Sequence, residues 1–527
     1  MLLKEVTFSR PLLSLILSAC CIFYHSLFFT INIFQNFTYF LDIITFHFLA
    51  FFIFFLFASF NKKLLLILTF LVFSLLTISN FVFNNFGVTL DAGNIANALQ
   101  NIDDANSLLD AKKVITYVIL YIILPVLLVA QTNIKKSKNF KKILLISLII
   151  FALTIVSLKR ITHNERYEIV LATYSPISLV SGFYNHQKQN LISKRDLKNL
   201  EKIDKIIPDL SLSKKAKELK VVLLIGESAR SMNFSLNGYE RQTNPLLEKQ
   251  QNLISFQKVQ PCYNATSQAV LCLTSYNASS FDNSEKKGAL LAPKSESFIK
   301  AFKKLGFRTS FISNQRALGH GNSLLLLASQ ADKYLFRDSI NKNLPNSKYD
   351  EVLLPYLEEE IVDDENDLII LQGNGSHFLF SENYPENFAK FSPNCFSKVP
   401  KDCDKQEIIN SYDNSILYTD YFLNEIIARL KDKNAILIYV SDHGQFLGED
   451  GIFYHGRPGS YEDLQHMVPM ILWTSNKFLA DKFYAKKIAN AQKKINNNLS
   501  HDNIFDTMLD CIGAESDLFN RNLSICR

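Results

Sequence analysis

Charge is nearly missing from five stretches of this 527-residue sequence, at about 11–32, 39–60, 63–83, 114–131 and 142–158. Each has the length and apolarity of a membrane-crossing helix, although the last is short and needs extension or tilt. This scarcity excludes a large soluble helical core, because five such runs in the first 160 residues leave nothing polar to cover them. A cleavable leader is not expected, since more spans follow the first. Tryptophan is scarce too. One Trp stands beside 43 Phe, and the 48% apolar share concentrates before about residue 160, so the average blends two different solvents.

Lysine and arginine are absent from the loop 33–38. The loop 84–113 carries Asp91, Asp103, Asp104 and Asp110, with Lys112 and Lys113 only at its end. Basic residues gather instead at Lys4 and Arg10, at Lys62 and Lys63, and at Lys135, Lys136, Lys138, Lys141 and Lys142. The positive-inside bias therefore puts the amino terminus in the cytoplasm and everything after the fifth span outside. Lys112 and Lys113 run mildly against it. The net charge of +6 follows largely from this bias and a lysine-rich soluble part. It does not point to nucleic acid, which a chain outside the cytoplasm cannot reach. Scattered lysines on a membrane-facing domain suit anionic lipid heads, and a solvated surface is the plainer reading of each one. Of eight cysteines, Cys20 and Cys21 sit inside the first span, and the rest come in close pairs: Cys262 with Cys272, Cys395 with Cys403, Cys511 with Cys526. In an oxidising compartment such pairs read as disulfides.

Residues 159–215 are a transition, with 186–206 read as an interfacial or bridging helix. From about 216 the pattern alternates as in an α/β domain. Strands are predicted at 220–225, 308–312, 367–371, 435–440 and 468–473. Helices are predicted at 267–275, 296–304, 351–360, 406–430 and 476–497, with an irregular excursion over 381–405.

Two of those strands run into metal-ligand chemistry. Val221–Ile225 is followed by Gly226-Glu227-Ser228, and Ala435–Val440 by Ser441-Asp442-His443-Gly444. Short, wholly apolar runs read as buried parallel strands, and ligands in open α/β sheets gather at their carboxyl ends. Glu227 with Asp442-His443 suggests a hard or borderline cation, most simply Zn²⁺. A zinc site wants four ligands, or three and an exchangeable group. The segment between Cys262 and Cys272 offers a hydroxyl, Thr266 or Ser267, where an apolar helix could begin. There it would feel the positive end of the helix dipole, and metal binding would lower its pKa for attack on phosphorus or sulfur. His377, after the strand 367–371, and His455 are candidate hydrogen-bond donors to phosphoryl oxygens, general acids or second-metal ligands. His320, His466 and His501 are weaker candidates.

Gly226-Glu227-Ser228-Ala229-Arg230 and Asn237-Gly238-Tyr239-Glu240-Arg241-Gln242-Thr243-Asn244-Pro245 resemble the signature of the bacterial phosphoethanolamine transferases. These are the membrane-anchored enzymes that decorate lipopolysaccharide and include the colistin-resistance enzymes. The Cys262–Cys272 segment, Gly375-Ser376-His377, Asn410–Ser415 with Tyr418–Tyr421, and Ser441–Gly444 through His455-Gly456 match the same family in order and spacing.

The resemblance implies a five-span helical membrane domain over 1–160, bridging helices and a linker over 161–215, and a periplasmic catalytic domain over 216–527. That domain would be of the alkaline phosphatase/sulfatase type, with a mostly parallel sheet flanked by helices. It makes Glu227, Thr266, Asp442 and His443 similar to the family's zinc ligands, with Thr266 as nucleophile. It gives His377 and His455 the substrate phosphate or a second zinc. The implied donor is phosphatidylethanolamine, and the implied acceptor is lipopolysaccharide, at lipid A or a core sugar. The enzyme would sit in the inner membrane among its lipids as a monomer, with one tightly bound Zn²⁺ and room for a second.

Departures from the family pattern qualify this. Phe378 and Leu379 follow His377 in place of Gly-Pro. Ile312-Ser313-Asn314-Gln315-Arg316 replaces a Trp-x-Asp-Asn stretch and looks more like the core-sugar branch. The usual phosphate-binding Lys has no clear counterpart, and Arg316 or His320 stands in. In the periplasmic loop Asn97 matches a donor-binding residue, whereas Asn101 and Ala105 replace the usual Thr and Glu. The alternatives are the same chemistry on a periplasmic protein or glycan, glycerol-phosphate transfer of the lipoteichoic acid type, and a non-catalytic scaffold. The Asn237–Pro245 stretch argues against glycerol-phosphate transfer, and a complete set of ligands and nucleophile against the scaffold. A formylglycine sulfatase is excluded because no Cys/Ser-x-Pro-x-Arg surrounds Thr266.

Overall fold

The structure is a computed structural model. It describes residues 6–26, 37–86, 95, 109–135, 141–142, 144–146, 148–149, 180, 183–184, 187, 201–264, 266–276, 296–316, 321–343, 348–449, 453–454, 467–517 and 522–527. The chain divides into two units. The first holds Met1–Ile95, Asn106–His186 and Lys286–Gly288, and the second Ala96–Ala105, Gln187–Glu285 and Ala289–Arg527.

In the first unit the charge-poor runs fold as helices: α1 (Arg10–Ser26), α2 (Phe37–Phe60), α3 (Lys62–Phe86) and α4 (Ala111–Gln131), the last with a π-helical segment at Ile119–Ile123. They pack on one another through Leu13, Leu17, Phe54, Leu65, Phe73, Leu76 and Val129, while Ile67, Phe70 and Leu71 of α3 face outward. Among the described residues two helical segments, Lys62–Val82 and Ala111–Gln131, are long and apolar enough to cross a membrane; Arg10–Cys20 and Phe48–Phe60 are apolar but shorter. The expectation of five spans is thus matched at two places. The fifth run, 142–158, falls largely outside the described residues, as do most of 159–200 and the part of the loop 84–113 with Asn97, Asn101 and Ala105.

The second unit is built on an eight-stranded sheet: β1 (Leu219–Gly226), β2 (Leu253–Gln260), β3 (Arg308–Ser313), β4 (Lys333–Leu335), β5 (Asp367–Gln372), β6 (Asn434–Ser441), β7 (Val468–Thr474) and β8 (Leu499–Ser500). Their order is β8-β2-β7-β6-β1-β5-β3-β4. All pairs are parallel except those of β7 with its two neighbours. All five predicted strands are present. β2 escaped the sequence reading because its second half, with exposed Gln257 and Lys258, breaks the apolar run; β4 and β8 are too short to leave a pattern.

Alternation along β1 divides the core. Val221, Leu223 and Ile225 join one cluster with Phe298, Phe302 and Phe505, and Val222 and Leu224 join the other with Tyr412, Ile416 and Ile426. Helices therefore cover both faces. Three matter for the site: α5 (Thr266–Thr274), α6 (Lys405–Leu430) and α7 (Asp502–Cys511). The predicted helix 476–497 is split into Asn476–Leu479 and Lys482–Lys493, because Asp481 caps the second piece by accepting from Phe483 N. All three expected disulfides are present. The register sets Ile225 beside Gln372, Gly226 beside Ser441, and Ser313 beside Gln372. Four strands thus end at one level, and the residues that follow them share one rim.

Candidate functional site

Glu227 leaves β1 and Asp442-His443 leaves β6 at that rim, all three essentially without solvent exposure. Thr266, also buried, opens α5 above them. Its Oγ1 donates to Glu227 Oε2 at 2.9 Å and lies 3.2 Å from His443 Nε2. His443 Nε2 is 3.4 Å from Glu227 Oε1 and 3.4 Å from Asp442 Oδ2. One ligand atom from each of Glu227, Asp442 and His443 fits within a 4.8 Å span.

These spacings suit a tetrahedral cation. Bonds of roughly 2.0–2.1 Å hold neighbouring ligand atoms about 3.3–3.4 Å apart. Two further observations agree. Asp442 Oδ2 is buried and has no hydrogen-bond partner among the described residues, and such an oxygen is costly unless it ligates something. Burial first, and then the charge of Glu227, push the Asp442 carboxyl well above its ordinary value, a strain that a divalent cation reverses. His443 is kept neutral, as a ligand must be: burial pushes its pKa down. Its Nδ1 lies 2.9 Å from Gly444 O, where donation turns the Nε2 lone pair toward the centre.

The backbone and its neighbours hold these groups still. Asp442 Oδ1 accepts from Ser228 N at 3.0 Å and His443 N at 2.7 Å. Ser228 Oγ donates to Glu227 Oε1 at 2.6 Å, from a residue at φ 59°. Tyr412 of α6 donates to Ser228 O at 2.7 Å and accepts from Arg230 N at 2.8 Å. Ser441 Oγ donates to His443 O at 3.1 Å and accepts from Ala229 N at 2.8 Å. The loop after β5 closes the rim. Asp350 accepts from Asn374 N at 2.6 Å and Gly375 N at 2.9 Å, and Ser376 N donates to Glu227 O. At Gly375, φ is +45° and an added Cβ would lie 2.9 Å from Glu227 N and O, so the position requires glycine.

The structure therefore brings Glu227, Thr266, Asp442 and His443 together. His377, partly buried, leaves β5 on the same rim, near enough for its charge to lower the His443 pKa. Its Nδ1 lies 2.6 Å from Phe378 O. Arg316 follows β3, half-buried. His320, His455 and Asn97 lie outside the described residues. Ser228, Gln315, Asp350 and Tyr412 were not singled out from the sequence as site residues. The available signal was position: Ser228 directly follows Glu227, and Gln315 sits in the Ile312–Arg316 departure.

Comparisons with known proteins bear on this site. The family model described as Sulfatase matches residues 220–514, more than half of the chain, and that described as Phosphoethanolamine transferase EptA/EptB matches residues 45–170. The chain is 33% identical over 326 residues to phosphoethanolamine transferase EptA of Escherichia coli K12, covering 59% of this chain and 56% of that protein. The chain thus spans little more than half the length of such relatives. It is 28% identical over 471 residues to phosphatidylethanolamine transferase Mcr-1 of Escherichia coli, covering 84% and 82%. The structure of EptA from Neisseria meningitidis superposes with a TM-score of 0.76 at 22% identity, over 99% of this chain and 98% of that one. The periplasmic domain of EptC from Campylobacter jejuni gives 0.52 at 28%, over 62% and 97%. The architecture is therefore the α/β fold of these solved structures, and the chain belongs to the sulfatase family, with its similarities lying among phosphoethanolamine transferases.

Proposed function

We propose that this chain transfers phosphoethanolamine from phosphatidylethanolamine to a lipopolysaccharide acceptor through a covalent phosphothreonine at Thr266. The observation that carries the reading is the Thr266 hydroxyl set 2.9 Å from Glu227 Oε2 and 3.2 Å from His443 Nε2 beside buried Asp442. Glu227, Thr266, Asp442 and His443 would hold one Zn²⁺. When bound it would lower the Thr266 hydroxyl pKa and offset negative charge on the phosphoryl oxygens. A related solved structure, the periplasmic domain of EptC from Escherichia coli, is of a complex with Zn.

The residues divide the work. Thr266 points its hydroxyl proton at Glu227, which positions the oxygen for attack. The Thr266 oxygen forms a bond to the donor phosphorus, the bond from phosphorus to the diacylglycerol oxygen breaks, and that oxygen takes a proton. The first-turn N–H groups of α5, which an α-helix leaves without intrahelical partners, would support the developing charge. His377 and His455 bind the phosphoryl oxygens and supply or take the protons. An acceptor oxygen then bonds to phosphorus and Thr266 is released. Asn97, Arg316 and His320 contact the donor.

We infer five spans within 1–160, a bridging segment 161–215, and a periplasmic catalytic domain 216–527 in the inner membrane, a reading supported by relatives described as an integral membrane protein and as carrying a periplasmic domain. The outward Ile67, Phe70 and Leu71 support a lipid-facing α3. The names of relatives, which include Kdo(2)-lipid A phosphoethanolamine 7''-transferase of Escherichia coli K12, favour lipopolysaccharide as acceptor over a protein or glycan.

The test is mass spectrometry after incubation with phosphatidylethanolamine and no acceptor. A phosphoethanolamine adduct is expected on the Thr266 peptide, and none with Thr266→Ala. Turnover of a fluorescent phosphatidylethanolamine by Thr266→Ala would rule the covalent route out. Envelope lipids from cells with and without the chain identify the acceptor.

A further inference from the structure

Glu227 is held from a third strand by an amide that the proposed reaction does not use. Gln315, two residues past β3 and 6% exposed, donates through Nε2 to Glu227 Oε2 at 3.0 Å and to Gly373 O at 3.1 Å. Its Oε1 accepts from Gln372 Nε2 at 3.0 Å. Gln372 Oε1 in turn accepts from Ser313 Oγ at 3.0 Å, and Ser313 Oγ accepts from Gln315 N at 3.0 Å. The ring is closed. Its orientation has one solution, because the Gln315 amide faces two acceptors, a carboxylate and a carbonyl, on one side.

The oxygen that Gln315 touches is the one that accepts the Thr266 hydroxyl, while the other oxygen accepts from Ser228. The carboxylate is therefore pinned at both ends, from β1 by Ser228 and from β3 by Gln315, in a site with no solvent to replace either donor. A buried carboxylate left one donor short is free to rotate, and rotation misplaces Thr266.

We propose that Gln315, anchored by Gln372 and Ser313, is the positioning residue that fixes Glu227 for metal binding and aims Thr266. This deepens the proposed function and rests on its assignment of Glu227 and Thr266. It makes the Ser313-Asn314-Gln315 departure part of the catalytic apparatus rather than of the donor pocket alone.

The test uses the full chain in detergent. Zinc affinity is measured by chelator competition, kcat and KM with fluorescent phosphatidylethanolamine, and folding by thermal unfolding. Gln315→Met, close in volume and without a donor, is expected to lose roughly 10–100-fold in zinc affinity and to lower kcat with KM unchanged. The double variant Gln315→Met with Gln372→Met strands no amide, so it separates misfolding from mispositioning and is expected to show the same zinc defect. Parental zinc affinity in a folded form of either variant overturns the inference. Glu227→Ala is the control for the underlying reading: zinc retained there sinks that reading, whereas zinc lost there but kept in Gln315→Met sinks only the role of Gln315.

Discussion

Residues near the centre differ in what makes them indispensable. Glu227 and Asp442 are liabilities without a cation, since two buried carboxylates repel and one oxygen has no hydrogen-bond partner among the described residues. Glu227→Ala should therefore abolish zinc binding yet leave a folded chain, checked by metal analysis alongside thermal unfolding. Gly375 is needed for space. Gly375→Ala should cost about 1–3 kcal/mol and displace the Glu227 backbone, read as lower activity and a lower melting temperature; unchanged activity would mean the loop yields freely. His501 acts through burial. It lies behind β6 with Nε2 3.0 Å from Ser441 O, and burial pushes its pKa from 6.5 to about 4. The folded form thus favours the neutral imidazole. Its stabilisation is complete above pH 6.5 and is lost as pH falls toward 4, because the unfolded chain takes the proton first. Melting temperature should drop across that window, and His501→Gln should flatten this part of the drop.

Among the elements, α5 and α6 present the chemistry and hold the loop beneath it. The Cys262–Cys272 bridge closes a ten-residue separation around the start of α5. Removing it with Cys262→Ser and Cys272→Ser should cost about 2–3 kcal/mol and depress kcat, since the turn carrying Thr266 loosens. Removing Cys511–Cys526, which ties α7 to the carboxyl terminus, should destabilise by a similar amount with less effect on kcat. Equal kcat losses in the two variants would deny α5 this role. On α6, Asp413 is buried and accepts from Asn233 Nδ2, Tyr239 OH and Arg241 Nη1, each at 2.9 Å. The family-like stretches at 237–245 and 410–415 are thereby explained as one polar clasp that seats the loop after Glu227.

At the scale of the whole molecule, the proposed placement of the catalytic unit outside the cytoplasm rests on where the lysines fall. Cysteines introduced at Lys138 and at Lys431 should respond oppositely to a membrane-impermeant maleimide on spheroplasts, with Lys431→Cys labelled and Lys138→Cys protected. Labelling of both would reverse the orientation read from the loops. Counting zinc in the purified chain tests the single-ion reading, for which one equivalent is expected.

The sequence by itself determined the apolar and polar halves, the five buried strands, the paired cysteines and the strand-exit residues Glu227 and Asp442-His443. All of these are local: period, run length and spacing along the chain specify them. Tertiary structure alone decided the rest. That Ser313, Gln372, Gly226 and Ser441 end at one level depends on sheet register. Gln315 therefore meets Glu227 across 88 positions of chain, and Tyr412 meets Ser228 across 184. No periodicity in one segment encodes such a distant hydrogen bond. The strand order brings the partners together, and the exclusion of water makes their pairing matter.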